Sequence, residues 1–163
     1  GALIPRKRQA LVIAALERVP GANLVLIGKG EDELMLRDAA RQAGLEQRVH
    51  FTGAIPQTEI AGWLAAADIM CLPSASEGLA NAWVEALACG TPVVITDVGG
   101  ARELIDRPEA GRLVPADPAF IAEAISAILA NPPAQQDVRA AAMRFTWEAN
   151  RDALYAHLSA LVS

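Results

Sequence analysis

One stretch of the sequence decides the fold: Asn23-Leu-Val-Leu-Ile-Gly-Lys-Gly-Glu-Asp-Glu-Leu-Met-Leu-Arg-Asp-Ala-Ala-Arg-Gln-Ala-Gly44. Residues 23–27 form a short apolar run, typical of a strand buried on both faces of a parallel sheet. Residues 31–43 predict a helix, because acidic side chains stand at its start and Gly44 follows its end. Arg48–Thr52 predicts the next strand. The segment is therefore a strand–helix–strand unit with parallel strands.

The same alternation continues along the rest of the chain. Further strands are predicted at 68–72, 91–96 and 112–114. Helices are predicted at 6–18 and 56–66, from the end of the loop 73–78 to about residue 88, and at 101–105, 118–130, 135–144 and 147–161. This pattern predicts an α/β fold, a doubly wound parallel sheet with helices on both faces, formed by one domain over residues 1–163. Because such a sheet normally has a strand before its first helix, we expect a strand to precede residue 1.

The composition is that of a packed domain with an acidic balance. Of 163 residues, 53% are hydrophobic and 34 are alanine, which favours closely packed helices. Fourteen Lys and Arg against 19 Asp and Glu give a net charge of −5, so we expect no nucleic-acid partner. No apolar run reaches the roughly 20 residues of a membrane helix, and we expect no signal peptide. Cys71 and Cys89 stand in apolar surroundings, which predicts reduced core residues and a cytoplasmic location.

Ligands of parallel sheets bind where the carboxyl ends of strands lead into helices, and one such loop is rich in polar residues. It reads Pro73-Ser-Ala-Ser-Glu-Gly-Leu-Ala-Asn-Ala-Trp-Val-Glu85. We place Glu77 in the loop and Glu85 about two turns into the helix, where both carboxylates can face one cleft. Gly78 is expected to let the backbone turn tightly. The N–H groups of residues 78–81, at the positive end of the helix dipole, predict an anion site.

Each of these residues also has a purely structural interpretation. Glu77 can be an acid stabilised by the helix dipole, and Glu85 a solvated helix residue. The run 6–8, Arg-Lys-Arg, can be a solvated first turn. Trp63 and Trp83 are expected to anchor the core rather than to stack on a ligand.

The ordered set of segments resembles the donor-binding, C-terminal domain of a retaining glycosyltransferase of family 4 with the GT-B architecture (glycosyl transferases group 1). The resemblance covers essentially the whole chain. It rests on Glu77 and Glu85 at their spacing of eight, and on the segments Leu24–Gly30, Arg48–Gly53, Ala67–Ser74, Thr96–Gly100 and Phe145–Glu148. It implies that the fold is Rossmann-like and is one half of a GT-B enzyme.

The resemblance also implies roles for individual residues. Glu77 is expected to contact the hydroxyls of the donor sugar, Glu85 to hold the ribose hydroxyls, and Lys7 to neutralise the diphosphate and support the leaving group. No metal and no other cofactor is implied, because Lys7 and backbone amides do that work. The remaining residues are expected to line the donor site: the amides of Gly78, Leu79, Ala80 and Asn81 at the sugar and diphosphate, Gly28 and Gly30 in the neighbouring loop, and the backbone of Ile55 to Gln57 at the base.

One departure from the family concerns the grip on the diphosphate. Many relatives carry an arginine directly after the opening glycine as a second contact, and here that position is Ala2. Either Lys7 then acts alone, or together with Arg6 or Arg8, or Gly1 and Ala2 are not both part of the natural sequence.

The resemblance further implies that the chain is about half of an enzyme. The acceptor-binding N-terminal domain would precede residue 1, and the final helices, about 135–163, are expected to pack towards it. The chain alone is expected to bind a nucleotide-sugar donor without turnover. In the full protein, transfer would proceed by front-face attack in an ion-pair-like transition state, stabilised by preorganised charge around the departing phosphate.

Two other functions stay open at this point: one half of a GT-B nucleotide-sugar epimerase, and a non-catalytic α/β interaction module. The nucleotide base, the donor sugar, the acceptor, the oligomeric state and any membrane contact of a missing half are open as well.

Overall fold

Five parallel strands form two sheets in the computed structural model, which describes residues 1–161, with only the backbone at Ala153. In one sheet β1 (Leu24–Ile27) pairs with β2 (Val49–Gly53), Leu24 opposite Val49. The other sheet has the order β3 (Met70–Leu72), β4 (Val93–Thr96), β5 (Gly111–Val114). β4 is the central strand and is buried throughout, as its unbroken apolar run Val-Val-Ile requires.

Helices connect the strands in the predicted alternation. They are α1 (Gln9–Leu16), α2 (Glu33–Gln42), α3 (Gln57–Ala66), α4 (Asn81–Ala88), α5 (Ala101–Leu104), α6 (Pro118–Ala130), α7 (Gln135–Ala142) and α8 (Trp147–Leu161). Local signals set several of their ends. The Asp117 carboxylate accepts a hydrogen bond from the Ala119 N–H at 2.7 Å and so caps α6, which starts with proline. Gly44 follows α2 with a φ of 68°. The predicted α/β fold with parallel strands is confirmed.

Small residues allow helices to pack closely around β4. A core cluster joins Trp83 and Ala86 of α4, Ala101 of α5 and Ala141 of α7. Trp83 is fully buried, as predicted, whereas Trp63 is 41% exposed on α3. The prediction that Trp63 anchors the core is therefore wrong: α3 carries no buried residue, and only Ile60 and Leu64 of this helix are half-buried.

Two predicted helices begin later than expected. The segment predicted as a helix over 6–18 is a 3-10 turn, Pro5–Lys7, followed by α1, because Arg8 between them adopts a left-handed backbone with a φ of 53°. The helix after β3 begins at Asn81, so the 78–80 backbone belongs to the loop. Glu85 is therefore only about one turn into α4, not two.

The first residues of the chain run beside the end of β1. The amino group of Gly1 donates to the Ile27 carbonyl at 2.6 Å, and the Leu3 N–H donates to the Lys29 carbonyl at 3.0 Å. A Cβ atom on Gly28 would lie 1.9 Å from the Gly1 carbonyl oxygen, and one on Gly30 would lie 2.0 Å from that of Leu3. These two glycines therefore admit the close approach of another backbone.

The C-terminal helices differ in their packing. α7 buries Val138 and Ala141 in the core, and Phe145 after it still packs there. α8 is instead exposed, including the apolar residues Trp147, Leu154, Tyr155, Leu158 and Leu161. Within residues 1–161, no helix is both long and apolar enough to cross a membrane.

Candidate functional site

The loop after β3 is held in place from two sides. The Thr96 hydroxyl, at the end of β4, donates to the Ser74 carbonyl at 2.6 Å. The Ala75 N–H donates to the Arg6 carbonyl at 2.7 Å. The loop that carries Glu77 is thereby tied both to the neighbouring strand and to the 3-10 turn near the start of the chain.

These ties place Glu77 against two cations. The Lys7 Nζ lies 2.5 Å from Glu77 Oε1, and the Arg6 Nη1 lies 3.0 Å from Glu77 Oε2. The side chain of Glu77 is 8% exposed, that of Lys7 15% and that of Arg6 44%. The structure thus brings the two predicted catalytic residues, Lys7 and Glu77, into direct contact across 70 positions of sequence.

The surroundings keep Glu77 ionised. Burial raises the pKa of its carboxyl, but hydrogen bonds with Lys7 and Arg6, the nearby Ser74 hydroxyl and the charge of Lys7 outweigh burial, so the net pKa lies below the ordinary value. Ser74 is fully buried, and its hydroxyl has no hydrogen-bond partner of ordinary geometry among the described residues. No spacing in the sequence signals the part of Ser74, because it depends on the fold of the loop around it.

Glu85 lies on α4, the helix that follows the loop of Glu77. Its carboxylate is half-buried on α4 and forms no ion pair within residues 1–161. The charge of Glu85 acts on the amino group of Gly1. Burial and the charge of Lys7 lower the pKa of that amine, while the charge of Glu85 raises it. Gly1, Lys7 and Glu85 therefore share one electrostatic environment, and Gly28 touches Gly1 at the same place.

The backbone between the two glutamates presents free donors. Among the described residues, none of the N–H groups of Gly78, Leu79, Ala80 and Asn81 donates to a protein group. Gly78, Leu79 and Asn81 are exposed. Donors without protein partners, in the loop that also holds two cations against Glu77, could bind an anion, although the N–H groups of 78–80 lie in the loop rather than in the first turn of α4.

The reason predicted for Gly78 is wrong. Its φ is not positive, and a Cβ atom added to it would meet no atom within 4 Å. The glycine that the turn requires is Gly99, with a φ of 53°, whose Cβ would lie 2.1 Å from the Glu77 carbonyl oxygen. The N–H of Gly100 also donates to the Gly78 carbonyl at 2.9 Å. The Gly99-Gly100 turn therefore supports the loop of Glu77, and Gly78 leaves open space above it.

The residues predicted at the base lie at the end of β2. Ile55 is half-buried in the loop, and Gln57 is the exposed first residue of α3. Neither forms a hydrogen bond or ion pair with Lys7, Glu77 or Glu85 in the described part of the chain. Gly30 faces the backbone of Leu3. The roles of Ile55, Gln57, Gly28 and Gly30 in ligand binding stay predictions.

The two cysteines are both free thiols. Burial raises the pKa of the Cys71 thiol to about 12. Among residues 1–161, no three His, Cys, Asp or Glu side chains form a group that could hold a metal ion.

The structure is an α/β fold with parallel strands, and it carries carboxylates, cations and free amides at the carboxyl ends of those strands, the edge where folds of this class bind their ligands. The family model of the glycosyl transferases group 1 matches residues 1–145. The chain belongs to this family.

Individual relatives agree with this assignment. The chain is 35% identical over 150 residues to D-inositol 3-phosphate glycosyltransferase 2 of Catenulispora acidiphila. The aligned region covers 89% of this chain and 34% of that protein. The crystal structure of Anabaena HepE in complex with UDP matches with a TM-score of 0.88 at 29% identity, over 98% of this chain and 47% of that one. The structure of sucrose-phosphate synthase of Thermosynechococcus elongatus matches with a TM-score of 0.84 at 31% identity, over 97% of this chain and 44% of that one. The chain thus spans a third to a half of the length of these three proteins.

Proposed function

We propose that this chain is the C-terminal, donor-binding domain of a retaining family 4 glycosyltransferase that transfers a hexosyl group from a nucleotide-diphosphate sugar to an acceptor. One observation carries the proposal. Glu77 is held by Lys7 and Arg6 beside four unpartnered backbone N–H groups, with the unpaired carboxylate of Glu85 close by. The structural relative HepE, crystallised with UDP and with UDP-glucose, supports a nucleotide-sugar as the ligand.

The roles follow from the charges of these groups. Glu77 and Glu85 can only accept hydrogen bonds when ionised, which suits the hydroxyls of the donor sugar and of the ribose. Lys7 and the amides of 78–81 can only donate, which suits the diphosphate. The exposed edge at Ile55 and Gln57 is where the base would lie, with the loop of Gly28 and Gly30 between base and diphosphate.

We propose that these groups act in the transition state without a resident metal ion or other cofactor. As the bond between the anomeric carbon and the diphosphate breaks, negative charge grows on the departing phosphate. The Lys7 ammonium, held in place by Glu77, and the free loop amides would stabilise this charge with little reorganisation. The acceptor hydroxyl attacks the anomeric carbon from the face that the phosphate leaves, and its proton passes to the departing phosphate, so the new bond forms with retention.

The acceptor would be bound by another part of the same polypeptide. α8 supports this: Trp147, Leu154, Leu158 and Leu161 recur on one helical face and are all more than half exposed. We propose that this face docks on an N-terminal acceptor domain upstream of Gly1. We also propose that a strand of the same upstream segment, directly preceding Gly1–Leu3, pairs with β1. Residues 162–163 lie outside the described part. The free thiols favour a cytoplasmic location for the whole protein.

The proposal is tested by titrating UDP, GDP and ADP into the 163-residue chain and following amide chemical shifts by NMR. We expect one nucleotide to shift the resonances of 78–81, and Glu85→Ala to weaken that binding at least tenfold. Glu123→Ala is the matched control, because Glu123 is an exposed glutamate at a similar distance from the start of its helix, α6. Failure of all three nucleotides to bind both this chain and the full-length protein would refute the proposed function.

A further inference from the structure

The run of Arg6, Lys7 and Arg8 is divided by the backbone into residues with different surroundings. Arg6 contacts the loop of Glu77 three times: its carbonyl accepts from the Ala75 N–H, and its Nη1 donates to the Ser76 carbonyl at 2.6 Å and contacts Glu77 Oε2. Arg8, which itself adopts the left-handed backbone, forms no ion pair within residues 1–161. It lines a groove of about 500 Å³ together with Gln9, Asp32 and Met35.

The charges around Glu77 leave a surplus of one. One carboxylate faces two cations, so the cluster carries a net charge of +1 before any ligand arrives. The Lys7 ammonium is largely covered and directed at Glu77, whereas nearly half of the Arg6 side chain is exposed. Only the Nη1 of Arg6 is used in the described contacts, which leaves the donors on Nε and Nη2 free.

A half-exposed guanidinium with free donors, fixed beside unpartnered amides, suits a phosphate group. Arginine can present two parallel N–H groups to phosphate oxygens, which an ammonium cannot. The side chain of Ala2 carries no charge and no donor, so it offers nothing to an anion here.

We propose that Arg6 is the second cationic contact to the diphosphate of the donor, next to Lys7, and that Arg8 takes no part. This inference rests on the proposed function, since it names a residue within the same site. It also gives the contact of Arg6 with Glu77 a role: the carboxylate holds the guanidinium in place until the ligand arrives.

The test compares ligands that share a base but differ in phosphate. The nucleoside, its monophosphate and its diphosphate are titrated into the chain by calorimetry, for whichever base binds. Arg6→Gln removes the charge, Arg6→Lys restores it without the planar donors, and Arg8→Gln is the control with the same change two positions away. Thermal unfolding of each variant checks that it is folded.

We expect Arg6→Gln to weaken diphosphate binding about tenfold or more, to leave nucleoside binding within about twofold, and to reduce the salt dependence of diphosphate binding. Arg6→Lys should recover part of the loss, and Arg8→Gln should match the wild type. Equal affinity of the wild type and Arg6→Gln for the diphosphate overturns the inference. An equal loss of affinity for nucleoside and diphosphate also overturns it, because Arg6 would then only hold the loop. In both cases the wild type still binds, so the proposed function stands. Absence of nucleotide binding by both the wild-type chain and the full-length protein would overturn the proposed function and this inference together.

Discussion

Replacing Gly99 by alanine is expected to destabilise the fold strongly, whereas the same change at Gly78 is expected to leave stability unchanged. Both glycines lie in loops of the candidate site. A Cβ atom on residue 99 would lie 2.1 Å from the Glu77 carbonyl oxygen and 2.3 Å from that of Gly78, and both are backbone atoms that cannot rotate away. At residue 78 the same atom would meet nothing within 4 Å.

The magnitude follows from two costs at Gly99. Its φ of 53° places a side chain in the left-handed region, which costs about 1 kcal/mol. Moving the 77–78 backbone away to make room adds about 1–3 kcal/mol, by analogy with overpacking in cores. The free energy of unfolding should therefore fall by about 2–4 kcal/mol, which lowers Tm by roughly 5–15 °C for a chain of this size. For Gly78→Ala the change should stay within about 0.5 kcal/mol.

The assay is urea and thermal unfolding of the two variants and the wild type, followed by circular dichroism. A companion variant, Gly78→Val, links the result to the site: it should be as stable as the wild type but bind nucleotide more weakly, because its side chain occupies the open space. If Gly99→Ala melted within about 2 °C of the wild type, or if Gly78→Ala were equally destabilised, the packing of the two loops described above would be incorrect.

Three further outcomes are expected. Arg8→Gly should raise the free energy of unfolding by roughly 0.5 kcal/mol, because relief of the left-handed strain exceeds the extra backbone entropy of glycine; a loss of stability in urea unfolding would contradict this. Because the pKa of Glu77 is lowered in the folded state, its ionisation stabilises the fold above the unfolded pKa of about 4.3, and this contribution is lost as pH falls through the folded pKa. The stability difference between wild type and Glu77→Gln should accordingly shrink between pH 6 and pH 3, and a difference independent of pH would show that the pKa is not lowered. Cys71, with a thiol pKa of about 12, should resist alkylation at pH 8 in the native state and react on unfolding, which mass spectrometry of the labelled peptide measures.

The sequence was sufficient for the alternation of strands and helices, and it also singled out one loop as the candidate site. Short apolar runs such as Leu24–Ile27 and acidic or proline helix starts are local signals, and the observed β1 and α6 follow them closely. The loop of Glu77 was recognisable as the candidate site because parallel strands place their following loops at one edge. Helix starts were the weak point. The kink at Arg8 and the late start of α4 have no local signature, since Arg8 is an ordinary residue in an unusual conformation.

Which side chains meet at the site was decided by the tertiary structure alone. The contact of Lys7 and Arg6 with Glu77 joins positions about 70 residues apart, and it requires the 3-10 turn to be tied to the loop through Ala75. The same holds for the glycines. The sequence shows that Gly78 and Gly99 are present, but only the approach of the Glu77 carbonyl distinguishes the glycine that the backbone needs from the one that leaves space for a ligand. Local sequence determines what each segment prefers, whereas burial, charge pairing and steric exclusion depend on atoms that only folding brings together.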